Sequence, residues 1–449
     1  MKSNFLIGAT NSGCGKTTIT VGLLRALKNK GFKVQPFKCG PDYIDTQYHR
    51  LAAGADSINL DTWLASNGHV GRLFQHYGST AEVSIAEGVM GLFDGFNRMQ
   101  GSSAHVAQIT GLPVVLIVNA KSMAYSAAPL LYGYLHYCKD IHMAGVIFNQ
   151  VGSGRHAQLL ESACKDVGMQ CFGMVPKMRD MEIPSRHLGL TLENTALIER
   201  IIEKAAQTVQ EHINLDALLE ATAHAASSPS THTAATFRQP LSTKDSFSPS
   251  AHPKNRQRIA VACDEAFNFV YRENIDRLHE WGEVSFFSPI HDGEMPPADF
   301  LYLPGGYPEF FLPQLSNNQS MLQSVRTHIE QGGRTLAECG GMMYLCSHII
   351  DAEGLPYPMV GVLKQKATMQ GMRLHLGYRH FRLNGAEWKG HEFHYSTIMN
   401  QTTGAPPVAD TIQYDAQENP ASTPIYIYKN LLATYTHLYW GNQSIFNLF

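Results

Sequence analysis

The run GATNSGCGKTTITVGLLRAL at residues 8–27 restricts the fold more than any other feature of the chain. The apolar strand pattern FLIGA (5–9) passes through a glycine-bearing turn into an amphipathic helix pattern, with Gly15, Lys16, Thr17 and Thr18 at the junction. Phosphate binding asks for this order. Gly13 and Gly15 let backbone N–H groups close on phosphate oxygens, the helix N-terminus adds positive potential, Lys16 reaches the outer phosphates and the Thr17 hydroxyl can bind magnesium. The strict pattern has glycine where Thr10 stands, but the strand and helix on either side favour a nucleotide site over a plain structural turn. Cys14 reads as small filler, since its backbone and not its thiol faces the phosphates. Loops of chromosome-partitioning ATPases carry a signature lysine where this chain has Asn11, so a dimeric motor is disfavoured. ATP with Mg2+ is the expected cofactor pair.

The rest of the first part alternates short β-branched runs with helical patterns: KVQPF (33–37), EVSIAEG (82–88), PVVLIVNA (113–120), AGVIFNQ (144–150) and CFGMVP (171–176). Such runs, buried on both faces and separated by helices, predict an α/β fold with a doubly wound parallel sheet. Its ligands sit at the carboxyl ends of the strands. At 449 residues the chain exceeds what one core organises. The composition predicts a phosphate-loop domain over 1–207 and a flexible Ser-, Thr-, Ala- and Pro-rich linker over 208–257. A second strand-first α/β domain over 258–449 opens with RIAVACDEAF.

Two acidic stretches follow strands of the first domain. KCGPDYIDTQYH (38–49) offers Asp42 and Asp45, and IAEGVMGLFDG (85–95) offers Glu87 and Asp94. Carboxylates at strand ends near a triphosphate can hold magnesium directly or through water. Asp42, Asp45, Glu87 and Asp94 are therefore candidates for a metal or substrate role. Asn149, which ends the strand GVIFN, reads either as an adenine contact or as a side chain capping a turn.

TLAECGGMMYL (335–345) places Cys339 on a tight strand-to-helix turn, the form in which a helix N-terminus lowers a thiol's pKa and helps hold an oxyanion. Gly340 permits close backbone approach. Gly306, in the second glycine turn YLPGGYPE (302–309), is placed to offer a backbone N–H to a tetrahedral oxyanion. LATYTHLYW (432–440) supplies His437 as base, with His375, His380, His391 and His394 as competitors. GHEFHYS (390–396) hints at zinc, but its H-E-x-H spacing lacks the i, i+4 pair of a zincin helix, and its aromatic alternation predicts a strand.

A net charge of −3 leaves no basic footprint for nucleic acid, and no Lys/Arg cluster points to an anionic membrane surface. Eight cysteines without CxxC spacing argue against a disulfide framework and a Cys-rich zinc site. No run reaches the roughly 18 apolar residues that span a bilayer. A cytoplasmic protein acting on a small molecule is expected, with a homodimer as the candidate assembly.

The series SGCGKTT, CGPDYID, EGVMGLFDG, NQVGSGRH, LPGGYPE, AECGGMMYL, GHEFHYS and YTHLYW resembles, in order and approximate spacing, that of cobyrinic acid a,c-diamide synthases. The resemblance covers nearly the whole chain apart from the linker. It implies an ATPase domain similar to dethiobiotin synthetase, followed by a class I glutamine amidotransferase-like domain with Cys339 as nucleophile and His437 as its activating histidine. It also implies ATP-dependent amidation of the a and c acetates of cobyrinic acid, with glutamine as nitrogen donor. The division of roles that goes with this resemblance puts Asp45 and Glu87, with Thr17, on the metal and Asp42 and Asp94 on the substrate. Classical triads have a glutamate where this chain has Tyr439; the family works with a Cys–His pair. Many relatives have aspartate where Asn119 stands and histidine where Tyr439 stands. The alternatives are the same amidation on hydrogenobyrinic acid or a nickel-sirohydrochlorin, and a nucleotide-dependent regulatory protein with a degenerate amidotransferase domain.

Overall fold

A computed structural model describes residues 2–177, 192–225, 256–399 and 411–449. These fall into two compact units, one on each side of 226–255. Among the described residues no helix is long and apolar enough to cross a membrane.

The front unit runs β1 (Ser3–Ala9), α1 (Lys16–Asn29), β2 (Val34–Cys39), α2 (Asp45–Ala53), β3 (Ile58–Leu60), α3 (Asn67–Gly78), β4 (Val83–Glu87), α4 (Ser103–Thr110) and β5 (Val114–Asn119). It continues with α5 (Ala127–His136), β6 (Met143–Val151), α6 (Gly154–Val167), β7 (Cys171–Pro176), α7 (Leu192–His212) and α8 (Leu215–Ala225). The seven strands form one sheet in the order β3-β2-β4-β1-β5-β6-β7, every pair parallel. β1 lies between β4 and β5, so its carboxyl end opens at the switch point where such sheets take ligands. Six of the seven strands coincide with the sequence runs. β3 is only three residues long, too short to show a period.

The helix expected near 194–212 stands there as α7, but the domain boundary expected at 207 falls inside it, and α8 occupies 215–225, where the linker is expected. The reason is apolar spacing: Ile198, Ile202, Ala205, Ala206 and Val209 make a buried stripe on α7, and Leu215 and Leu218 follow it into the core. α7 lies so close on α1 that a Cβ on Gly22 would strike Val209 and the Ala205 carbonyl. Arg25 ties the same pair, donating to Glu199 at 2.6 Å and Glu203 at 3.0 Å. Residues 226–255 of the expected linker lie outside the described residues, and Gln257, expected to end it, opens the first strand of the rear unit.

The rear unit begins with β8 (Gln257–Ala262), α9 (Arg272–Trp281), β9 (Gly282–Phe287), β10 (Phe300–Leu303), α10 (Leu312–Asn317), α11 (Gln319–Glu330), β11 (Arg334–Glu338) and α12 (Gly340–Leu345). Next come β12 (His348–Ile350), β13 (Pro356–Pro358), β14 (Lys366–Thr368), β15 (His375–Leu383), β16 (Ala386–His394) and β17 (Thr397–Met399). The unit closes with β18 (Gln413–Tyr414), β19 (Pro420–Ala421), β20 (Ile425–Tyr428), β21 (Leu431–Thr434) and β22 (His437–Tyr439). Its main sheet has the order β20-β21-β11-β10-β8-β9, parallel except for β20. Apolar cores cover both faces, one built around Leu303, Ala337 and Met342, the other around Tyr302, Trp388 and Trp440. A second sheet, β19-β18-β15-β16-β22, is antiparallel, and its strand β22 follows two residues after β21 of the main sheet.

Candidate functional site

Serine side chains cap α3, α4 and α6 (Ser66, Ser102 and Ser153), but α1 has no side-chain cap. Its N-cap is Gly15 at φ 89°, a left-handed conformation that a side chain would strain. The first-turn N–H groups of α1 are thus left for an anion. Asn149 braces the loop from β6: its Nδ2 donates to the Cys14 carbonyl at 2.9 Å, and its Oδ1 accepts from Gln150 N–H. Of the two uses read for Asn149, the structure displays the turn brace. Cys14 is buried, and its thiol meets Asn11 Oδ1 at 3.1 Å and Thr10 Oγ1 at 3.3 Å.

The carboxylates meet around a lysine the sequence reading left without a role. Lys38, at the end of β2, bonds Asp45 Oδ2 at 2.5 Å and Glu87 Oε1 at 2.8 Å, and all three side chains are nearly inaccessible. Thr17 Oγ1 lies 2.8 Å from Glu87 Oε1 and 3.5 Å from Asp45 Oδ2. Burial works against the charge on Lys38, but Asp45 and Glu87 overcome it and raise its pKa. Burial likewise opposes ionisation of Glu87, and Lys38 and His49 hold its carboxyl well below the usual range. His49 Nε2 meets Glu87 Oε2 at 2.7 Å, with Ser57 at 3.1 Å on its other nitrogen. Lys16 Nζ donates to the Met90 carbonyl at 2.5 Å.

Two of the expected substrate carboxylates also have local duties. Asp42 Oδ1 accepts the N–H groups of Ile44 and Asp45 and so orders the entry to α2, and Asp94 Oδ2 accepts from Gly91 N–H at 2.9 Å. Asp94 is exposed.

In the rear unit Cys339 sits between β11 and α12 with φ 47° and ψ −107°, a costly backbone for a side-chain-bearing residue. Its N–H donates to the Thr434 carbonyl at 2.8 Å, its carbonyl accepts from Met343 N–H at 2.9 Å, and its thiol points to the Phe393 carbonyl at 3.8 Å. β11 and β21 pair with Glu338 opposite Thr434, and His437 comes three residues after Thr434. Leu438 N–H then donates to Glu338 Oε1 at 2.9 Å, which brings β22 to the end of β11. A Cβ on Gly305 would collide with the His437 ring, and one on Gly340 would lie 3.1 Å from Gly306 N. The glycine turn, the cysteine elbow and the histidine are therefore one assembly at the carboxyl edge of β10, β11 and β21.

Burial pushes the Cys339 thiol well above its usual range, the Glu309 carboxyl adds to this, and the Gly340 N–H opposes it. Burial also lowers His437 to about 3, with His391 and His394 acting in the same sense. At neutral pH the pair is thiol and imidazole, both uncharged. Glu338 and Glu309 are raised by burial to about 8 and about 7.

Residues 5–190 match the CobQ/CobB/MinD/ParA nucleotide binding domain, and residues 258–445 match the CobB/CobQ-like glutamine amidotransferase domain. The chain is similar to a cobyrinate a,c-diamide synthase of Caldanaerobacter subterraneus, 37% identical with 97% of this chain and 94% of that one covered. It is also similar to a cobyrinate a,c-diamide synthase of Listeria innocua, at 39% over 89% and 88%, and to a hydrogenobyrinate a,c-diamide synthase of Brucella suis, at 40% over 88% and 90%. The chain belongs to the a,c-diamide synthase family.

As an a,c-diamide synthase family member it has a nucleotide-binding front domain and a glutamine amidotransferase rear domain. Gly13, Gly15, Lys16, Thr17 and Thr18 lie on the phosphate loop and first turn of α1, with Asp45 and Glu87 beside Thr17. Cys339, Gly340, Gly306 and His437 meet in the rear unit. Tyr439, which stands where a classical triad has its acid, is buried and donates to Glu273, a carboxylate that enters from α9. The first five residues of GHEFHYS close strand β16, as expected, and Tyr395 and Ser396 follow it outside the strand. His375, Glu392 and His394 offer ligand atoms within 4.8 Å of one another, but the two rings are stacked 5° from parallel. Glu392 is already bound by His394 at 2.8 Å and Arg379 at 2.6 Å. Lys38 had a sequence signal, a charged residue inside the apolar strand VQPFKC; His49, Glu273 and Glu309 had none.

Proposed function

We propose that the chain amidates the a and c acetate carboxylates of cobyrinic acid, with ATP as activator and glutamine as nitrogen donor. The carrying observation is the combination, in one chain matched over nearly all its length by a,c-diamide synthases, of an uncapped phosphate loop and a cysteine elbow beside His437. A carboxylate is a poor acyl donor and ammonia at neutral pH is mostly ammonium, so one unit energises the acid while the other releases nitrogen.

In the front unit Lys16 and the α1 N-terminus hold the phosphates. Thr17, Asp45 and Glu87 present an all-oxygen set, whose two carboxylates already gather a cation, the Lys38 ammonium, and this fits Mg2+. Bound there, Mg2+ would neutralise phosphate charge. A substrate carboxylate oxygen attacks the γ-phosphorus, ADP leaves and an acyl phosphate forms. In the rear unit His437 takes the proton as Cys339 sulfur attacks the amide carbon of glutamine, with the Gly306 turn supporting the oxyanion. Ammonia departs with that proton, and water hydrolyses the thioester to glutamate. Ammonia then displaces phosphate from the acyl phosphate and leaves an amide. The cycle runs twice per macrocycle. We place it in the cytoplasm, on the ground that it consumes ATP and glutamine.

The test is mass spectrometry after offering the protein ATP, Mg2+, glutamine and separate tetrapyrroles. Two added amides on cobyrinic acid are expected; no amidation of any tetrapyrrole, with no glutamine hydrolysis, would return the chain to a regulatory role. Hydrogenobyrinic acid is the second reading, because its Brucella suis synthase matches as well as the cobyrinate enzymes do. Competition between the two rings decides it.

A further inference from the structure

A group of aromatic side chains stands beside the phosphate loop with no part in the chemistry above. Phe93, in the loop after β4, stacks on Tyr134 of α5 with ring centroids 5.6 Å apart and planes 27° from parallel. Tyr137 meets Phe93 edge-on at 5.0 Å. Tyr137 is 75% exposed and Met90, in the same loop as Phe93, is 45% exposed. The group is fastened to the nucleotide side of the unit: Tyr134 hydroxyl donates to the Thr10 carbonyl at 3.2 Å, Leu92 N–H to Ala9 at 2.8 Å, and Lys16 reaches Met90.

Phe93 and Tyr134 are half-buried and Tyr137 is open, so the stack presents one edge of its rings beside the phosphate loop, unlike the wholly covered Phe5, Phe37 and Phe148 of the same unit. We infer that Phe93, Tyr134 and Tyr137 form a shelf for the face of the tetrapyrrole ring. The inference rests on the functional reading above and names where the substrate lies. A conjugated macrocycle presents broad apolar faces and carries its carboxylates at the rim. Stacked on this shelf, it keeps a rim carboxylate on the side where Lys16 and the Glu87 cluster activate it. The shelf is continuous with the phosphate site through Met90 and Thr10, so the acceptor and the γ-phosphate share one floor. Asp94, next to Phe93 in sequence and exposed, stands at its margin.

The experiment compares Tyr137→Ala and Phe93→Leu with Tyr132→Ala, a residue 59% exposed on the opposite side of α5 by helical spacing. Cobyrinic acid and hydrogenobyrinic acid are titrated by visible absorbance without ATP, alongside the KM for ATP, glutaminase kcat and sedimentation. Tetrapyrrole binding should weaken about tenfold in the first two variants, with ATP and glutaminase constants unmoved and Tyr132→Ala like wild type. Tyr137→Phe should restore binding. Wild-type binding with unchanged affinity in Tyr137→Ala and Phe93→Leu overturns the shelf. So does a rise in the KM for ATP alone, which would make it an adenine surface, or loss of a dimer without loss of tetrapyrrole, which would make it a contact with a second copy. A wild type that binds and amidates neither ring overturns the functional reading and the shelf together, an outcome separable from the others.

Discussion

The two units bury their reactive groups to a similar depth and treat charge in opposite ways. Around the phosphate loop, Lys38 is buried with Asp45 and Glu87, and it holds the Glu87 carboxyl below its usual range. Around the elbow, burial drives Cys339 and His437 toward their uncharged forms, the Glu309 carboxyl adding to the shift of the thiol and the His391 and His394 rings to that of the imidazole. The first arrangement suits a reaction that handles phosphate charge throughout. The second suits one in which charge appears only as sulfur attacks. Desolvation is answered by pairing in one place and by neutralisation in the other.

The largest expected effect breaks one side and spares the other. Cys339→Ala should lower the glutamine-driven amidation rate by about 10³-fold or more and leave ammonia-driven amidation near wild type; loss of both activities would contradict independent sites. Next, Lys38→Met leaves two carboxylates facing each other without their ammonium. Denaturant unfolding of the front unit should show a loss of about 3 to 5 kcal/mol, as for a broken buried pair, with glutaminase activity retained. Added Mg2+ should recover part of that loss. An unchanged unfolding midpoint would mean that the carboxylates do not depend on Lys38.

A third effect lies in the pH dependence of the rear unit. Glu338, raised by burial to about 8, costs nothing below the ordinary carboxyl value of 4.5 and destabilises the fold progressively between there and about 8. The slope is at most about 1.4 kcal/mol per pH unit, and Glu338→Gln should flatten it. Glu392 works the other way: burial would raise it, yet His394 and Arg379 hold it at about 2. Its stabilisation is present above 4.5 and is lost on acidification toward 2. Equal slopes for wild type and Glu338→Gln between pH 5 and 8 would refute the neutral-site picture. The smallest effect is expected from Tyr439→Phe, which removes one donor from buried Glu273. It should cost about 1 to 3 kcal/mol in thermal or denaturant unfolding while glutamine hydrolysis continues.

The fold was readable in the sequence wherever a strand was long and buried on both faces, as in β1, β5 and β6, and the two strand-to-helix turns at Gly13–Gly15 and Cys339–Gly341 announced themselves through their glycines. Short or late elements were not. β3 has three residues, and α8 was hidden in a stretch whose Ala and Thr content looks like a linker until Leu215 and Leu218 are seen to pack. Site residues whose role comes from long-range pairing were equally silent. His49 is defined by Glu87, 38 positions away, and Glu273 by Tyr439, 166 positions away. No local pattern encodes such separations, and Lys38 was visible only as a misplaced charge.

The contact of Gly305 with the His437 ring has a consequence for how this activity can be lost. At that position one extra carbon atom displaces the imidazole, while the nucleotide half of the chain is left as it was. A single-codon change could thus turn a glutamine-fed catalyst into one that works only where free ammonia is plentiful, so the nitrogen source is a trait that drift or design can rewrite without touching the nucleophile.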